Sequence, residues 1–394
     1  MTGSSTLLQL FRAGIDAVGG REATARELQK FDLSGSVHLV ALGKAADAMA
    51  AGALDALGNR LVSGLVITKH DHLSHDIAHD SRLQCMESGH PVPDEASLQA
   101  GAALRHYVSQ IPAEHWLVFL VSGGTSALVE DLVDGIDLEA LKKQTDSLLA
   151  SGAAIGDMNR HRRTLSRLKG GKLAQYVKCH VLQLLISDVP GDRPGDIGSG
   201  LLIPDEATGM PDNLPVWQRI DTHIIASSAI AQAAVAVAAE KIGLSVVQPC
   251  GDLNGDMQDV LDRLARILEK PGLKPGLYIW GGEPTIVLPP EPGRGGRNQH
   301  LALSLARTIA ASDTRPELSI SILVCGTDGT DGPTVDAGGL VNRTTCQAAL
   351  AAGLDVEDYL RRADAGHCLE QLGALVTTGP TGTNVMDLAI ALVE

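Results

Sequence analysis

Aromatic side chains are nearly missing from this 394-residue chain: phenylalanine, tryptophan and tyrosine together make up 3% of it. That scarcity excludes an aromatic platform for stacking bases and an aromatic cleft for sugars, and it leaves Ala, Leu, Val and Ile to build the core. Paired cysteines are missing as well. The six cysteines, Cys85, Cys179, Cys250, Cys325, Cys346 and Cys368, form no CxxC pair, so neither a zinc knuckle nor a disulfide framework is signalled. Most of them read as small buried apolar groups in a reducing compartment. No membrane-length apolar run occurs: the most apolar stretch, Ile224 to Ala239, is broken by Ser227, Ser228 and Gln232 and reads as an Ala-rich buried helix. With no basic-then-apolar leader at the N-terminus, the expected location is cytoplasmic. Basic charge is short too, 32 Lys and Arg against 47 Asp and Glu for a net charge of −15. Such a chain repels nucleic acid, yet local cations and backbone amides can still hold a small anion.

What the chain has in quantity is glycine, 43 residues, within a 44% hydrophobic composition. Several short apolar runs, most of them ending in glycine, punctuate the chain: HLVALG at 38–43, GLVITK at 64–69, WLVFLVSGG at 116–124, VLQLLISD at 181–188, GLYIWGG at 276–282 and ISILVCGTDG at 320–329. Buried parallel strands running into glycine turns have this form. Helical periods lie between them, at 45–57, 94–111, 137–150, 224–242, 256–269 and 299–311. The alternation predicts a doubly wound α/β fold. Gly, Pro and Asp gather within 243–275, so an N-terminal domain is expected over 1–245 and a smaller C-terminal α/β domain over 246–394.

Four N-terminal motifs put chemistry at strand ends. In VALGKAADAMA, 40–50, Lys44 follows Gly43 at the carboxyl edge of the sheet, where open α/β proteins bind ligands. A lysine at a helix start opposes the macrodipole, so its placement points to a carboxylate or phosphate. In VSGGTSALVE, 121–130, the amides of Gly123 and Gly124 suit an anion nest, with hydroxyls from Ser122, Thr125 and Ser126; the rival reading is a capped helix start. Arg162, Arg163, Arg167, Lys169 and Lys172 form the most basic stretch. Most of these five read as a solvated helix face, whereas Lys169, beside Gly170 and Gly171, is expected at a polyphosphate. Asp188 ends an apolar strand on the same sheet edge, and Asp192 sits in a Pro-Gly turn; either suits Mg²⁺ or a proton.

In the C-terminal part, Asp328, Asp331 and Asp336 lie in the Gly-rich loop CGTDGTDGPTVDAGG, a setting for Mg²⁺ with waters and substrate phosphates. Arg297, in GRGGRNQHLAL, can clamp a carboxylate or phosphate through two parallel hydrogen bonds. His70, His72, His75 and His79 have offsets that suit a transition metal, but no apolar periodicity fixes them, so a solvated loop without zinc is expected.

The ordered set ALGKAA, SGGTSAL, LKGGKLA, ISDVPGD, GGEPT, GRGGRNQ, GTDGTDGPT and TNVMDL resembles the two-domain glycerate 2-kinases of the MOFRL family over residues 6 to 390. Eight motifs in order are far more specific than any one. The resemblance implies transfer of the ATP γ-phosphoryl group to the C2 hydroxyl of D-glycerate, with Mg²⁺, in a cleft between a Rossmann-like domain and the MOFRL domain. Its functional lysine and arginine would fall on Lys44 and Arg297. With them, Asp188 is expected as a catalytic residue, Ser122, Gly123, Gly124, Thr125, Ser126, Lys169 and Gly170 at ATP, Asp188 and Asp328 at the metal, and Glu283, Asn298 and Asn384 at substrate or behind the residues that touch it. Two departures are Leu201, where the family has proline, and Ser227 or Ser228, where it has an asparagine nearby. The expected partners are the hydroxy acid and ATP, with no nucleic acid and no membrane, in a monomer or homodimer.

The same family is also labelled hydroxypyruvate reductase. An NAD(P)H enzyme of that kind should carry GxGxxG after its first strand, and this chain reads ALGKAAD there. A non-catalytic sugar-acid or nucleotide sensor needs no transition-state groups, yet Lys44, Asp188, Arg297 and Asp328 are all present.

Overall fold

A computed structural model describes residues 3–150, 155–311 and 317–394. They fall into two compact units, Gly19–Ala226 and Met1–Val18 with Ser227–Glu394. The first unit is built on six strands: β1 Val37–Leu42, β2 Leu61–Lys69, β3 Leu83–Ser88, β4 Trp116–Val121, β5 His180–Ile186 and β6 Ile220–Ala226. Their order is β3-β2-β1-β4-β5-β6, and every pairing is parallel. This is the doubly wound order in which the chain reverses direction across the sheet between β1 and β4, and ligands bind at the carboxyl ends there. β1, β4 and β5 are buried almost throughout, because helices cover both faces of a parallel sheet. β3 is half-polar at the sheet edge, and β6 begins half-exposed, so neither stands out as an apolar run.

The second unit holds β7 Val246–Gln248, β8 Gly255–Asp256, β9 Gly276–Gly282, β10 Pro284–Thr285, β11 Ile320–Gly326, β12 Gly338–Asn342, β13 Leu375–Val376 and β14 Asp387–Val393. Its main sheet runs β13-β12-β11-β14-β9-β7, and β8 pairs with β10 apart from it. Here the strands are not all parallel. β14 lies antiparallel between β9 and β11, and of the six only β7 and β9 pair in parallel. β9, β11 and β14 are buried at every position, with Trp280 and Tyr278 among the largest enclosed side chains.

The Ala-rich stretch divides differently from its apolar pattern. Ile224–Ala226 complete β6, Ser227 caps the next helix by accepting from the Ile230 amide at 3.4 Å, and that helix runs Ser228–Lys241. The N-terminal helix Gly3–Val18 belongs to the same unit, and Gly14 lets it approach closely: a Cβ there would lie 2.8 Å from Val235. Among the described residues no helix is long and apolar enough to cross a membrane.

Candidate functional site

At the carboxyl edge of the first sheet, the turns after β1 and β4 are stitched together. The Ser122 amide donates to Leu42 O at 2.9 Å, and the Lys44 amide donates to Gly123 O at 2.9 Å. The Ser122 hydroxyl accepts from the Ala45 amide and donates to Leu42 O, while the Thr125 hydroxyl donates to Ser122 O. Both side chains are fully buried, so they brace the turn, and the donors left for the expected nest are the amides at the helix start and the half-buried Ser126. Gly43, with φ of 111°, accepts the approach of Ser122, whose carbonyl oxygen would lie 2.5 Å from a Cβ there.

Lys44 is half-buried on this turn, and no carboxylate among the described residues pairs with its ammonium group. In a chain with 47 acids, a half-buried lysine without a counter-ion is poised for an external anion. Asp188, two residues beyond β5, reaches the same turn: its Oδ2 would lie 1.8 Å from a Cβ on Gly123, so a side chain there would push the carboxylate aside. His90, two residues beyond β3, lies against the same turn. A Cβ on Gly124 would meet its Cδ2 at 3.0 Å and Lys44 Cγ at 3.2 Å. Burial, with Lys44 and Lys69, pulls the His90 ring down to about 4.

The basic stretch is not a solvated face. Arg163 pairs with Asp196 and Asp205, and Arg167 with Asp131 and Asp134. Lys172 donates to the carbonyls of Arg163 and Ser166. Lys169 is fully buried in an ion pair with Glu130, itself fully buried; burial holds its ammonium below the ordinary lysine range, against the pull of Glu130. Gly170 donates to Ser199 O at 3.0 Å and Gly198 packs on Thr125, so this turn backs the nest. Leu201 is a core residue, 2% exposed.

In the second unit, Arg297 opens the helix Arg297–Ala311 and is enclosed by acids. Its Nε and Nη2 donate to Asp387 at 2.6 and 3.2 Å, and Nη1 donates to Glu283 at 2.6 Å. Burial disfavours the charge, but Asp387 and Glu283 overcome it and raise the guanidinium pKa. Asn298 donates to Asp387 and Asp331. Asp331 also accepts from the Asn298 and Gln299 amides, capping the helix from a distant loop. Burial, opposed by those amides, raises its carboxyl to about 7. Asp336 is held by Arg294 and Thr377. Asp331 and Asp336 are thus already committed to the fold. Asp328 is half-buried and caps Thr330, and Asn384 accepts from the Met386 amide in the turn before β14. A cavity of about 180 Å³ adjoins Arg297, lined by Ile286, Leu288, Gly295, Gly296 and His300.

Ser227 caps its helix and Ser228 packs on Gly281, which accounts for both serines structurally. His70 pairs with Asp94, His79 bonds the His75 carbonyl, and the His75 and His79 rings stack at 4.1 Å. His90 and Asp387 were not singled out by the motifs. The signals were an imidazole directly after a strand in SGHPVPD and one acid opening the apolar run DLAIALV.

Family models extend the picture: "Domain of unknown function (DUF4147)" matches residues 6–234 and "MOFRL family" matches residues 276–387. The chain is 35% identical to the D-glycerate 2-kinase of Thermotoga maritima, covering 98% of this chain and 97% of that protein. It is 33% identical to the glycerate 2-kinase of Pyrococcus horikoshii, over 93% and 89%. The crystal structure of glycerate kinase from Thermotoga maritima superposes with a TM-score of 0.88 at 33% identity, covering 99% of each chain. The chain belongs to the MOFRL family, the family of these glycerate 2-kinases.

Proposed function

We propose that this protein is an ATP-dependent glycerate 2-kinase, moving the γ-phosphoryl group of ATP to the C2 hydroxyl of D-glycerate. The observation that carries the reading is Lys44, half-buried at the β1/β4 reversal with no counter-ion among the described residues. Phosphoryl transfer asks a protein for alignment and charge neutralisation more than covalent chemistry. Lys44 and the amides of Gly123, Gly124, Thr125 and Ser126 supply that at the phosphates. Ser122 and Thr125 hold those amides in place, and Lys169 and Gly170 support the turn from behind, since the Lys169 ammonium is taken by Glu130.

Arg297 serves the carboxylate of glycerate. Asp387 fixes the orientation of the guanidinium, while Glu283, about 40% exposed, yields Nη1 to the substrate. Asn298 and Asn384 keep Asp387 and the turn before β14 in place. Asp188, against Gly123, accepts the C2 hydroxyl proton as that oxygen bonds to phosphorus and the bond to ADP breaks.

Among the described residues no three His, Cys, Asp or Glu side chains gather as a metal cage. Asp188 and Asp328 are the carboxylates that would hold Mg²⁺. When bound, Mg²⁺ neutralises charge on the phosphates. We place the reaction in the cytoplasm.

A coupled assay with D-glycerate, ATP and Mg²⁺ that identifies the phosphoglycerate isomer, run beside hydroxypyruvate with NAD(P)H, tests this. The expected product is 2-phosphoglycerate, lost on chelation of the metal; NAD(P)H oxidation without phosphorylation contradicts the reading.

A further inference from the structure

We infer that His90 is a ligand-contacting residue of the Lys44 turn, its ring donating a hydrogen bond to the phosphate oxygens held there. The inference rests on the reading of that turn as the phosphate site.

Three observations place it. First, the loop after β3 is fastened to the nest: the Ser88 hydroxyl donates to Leu128 O at 2.8 Å, at the end of the short helix Thr125–Leu128. The far end of the loop is tied down by Asp94, which caps the helix Glu95–Gln110 and bonds the Gly89 amide. Second, the ring lies on the glycine that forms the nest. A Cβ on Gly124 would meet its Nε2 at 3.2 Å, next to the Lys44 side chain. Third, the ring is half-buried, yet no described residue hydrogen-bonds to either of its nitrogens. Packed imidazoles ordinarily find a partner, as His38 does with Ser63 and His115 in the same unit.

The charged groups acting on the ring are Lys44, after β1, and Lys69, at the end of β2. They and burial keep it neutral at pH 7, so it presents one N–H and adds no third positive charge. A neutral donor beside a lysine suits a group whose negative charge shifts between oxygens during transfer.

The test uses inorganic tripolyphosphate binding by calorimetry, with thermal melts as a folding control, on the full chain and on His90→Ala and His90→Gln. The Gln amide nitrogen reaches the position of Nε2. His90→Ala should weaken binding about 10- to 100-fold, the worth of a hydrogen bond to a charged group. His90→Gln should recover to within about 3-fold of the unaltered protein, since it restores a neutral donor. Equal binding by His90→Ala, or a Gln variant no better than Ala, overturns the inference. In turnover, kcat/KM for ATP should fall in His90→Ala with KM for glycerate unchanged, and the pH profile of the unaltered protein should show no limb near 6.5 that His90→Gln removes. Such a limb means that the ring works as a charged group or base, and also overturns it. If tripolyphosphate binding depends on His90 but no 2-phosphoglycerate forms, the kinase reading fails and this inference stands. If 2-phosphoglycerate forms and binding ignores His90, the inference alone fails.

Discussion

Lys44 and Arg297 are both cations in glycine-rich turns, and the protein treats them oppositely. Lys44 has no counter-ion among the described residues, while Arg297 is enclosed by Asp387, 1% exposed, and Glu283. The difference lies in what surrounds each turn. Around Lys44 the neighbours are backbone amides, a neutral imidazole and glycines, with the Asp188 carboxylate set against Gly123 on the same turn but not paired with the lysine. Around Arg297 two carboxylates fix a planar fork in one orientation before any ligand arrives. An unpaired lysine supplies charge, and a paired arginine supplies geometry together with one position open to exchange.

Removing the partner that fixes Arg297 should have the largest effect. Asp387→Ala leaves a largely buried guanidinium with Glu283 alone and should cost about 3–5 kcal/mol of stability, read by denaturant unfolding. A loss below about 1 kcal/mol breaks the distinction between the two cations. Next, Gly123→Ala drives a Cβ into the Asp188 carboxylate and should lower kcat on the order of 100-fold with little change in melting temperature. Retained activity means that Asp188 does not work from that position.

The smaller effects sharpen the contrast. Glu283→Gln removes the charge that competes for Nη1, so KM for glycerate should fall about 2- to 5-fold, within the worth of an exposed ion pair. A rise in KM instead makes Glu283 a substrate contact. Asp331 is raised to about 7 by burial, so the folded state keeps its proton to a higher pH than the unfolded chain does. Its contribution to stability is full below about pH 4 and is lost as pH rises through about 7. The melting temperature of the unaltered protein should therefore gain on that of Asp331→Asn by a few degrees as pH falls across this window.

The first sheet was readable wherever burial is continuous. β1, β4 and β5 announce themselves as apolar runs, and Lys44, Gly123 and Asp188 follow from where those runs end. The edge strand β3 alternates polar and apolar residues without a clean period, which hid both the strand and His90 behind it. β6 merged into the Ala-rich helix because Ile224–Ala226 continue its apolar pattern, and only Ser227 marks the break. In the second unit β14 is the buried antiparallel strand between β9 and β11, which strand-by-strand patterns do not reveal because direction is set by topology. The same blindness concealed Asp387, whose partner Arg297 lies 90 residues away, and the pairing of Lys169 with Glu130.

The role of Lys44 is tested most directly by phosphorus NMR of the products formed from D-glycerate and ATP with Mg²⁺ by the unaltered protein and by Lys44→Ala. The predicted result is 2-phosphoglycerate from the unaltered protein and a rate lower by about 100- to 1,000-fold from the variant, at an unchanged melting temperature. A Lys44→Ala protein that makes 2-phosphoglycerate within a few-fold of the normal rate contradicts it.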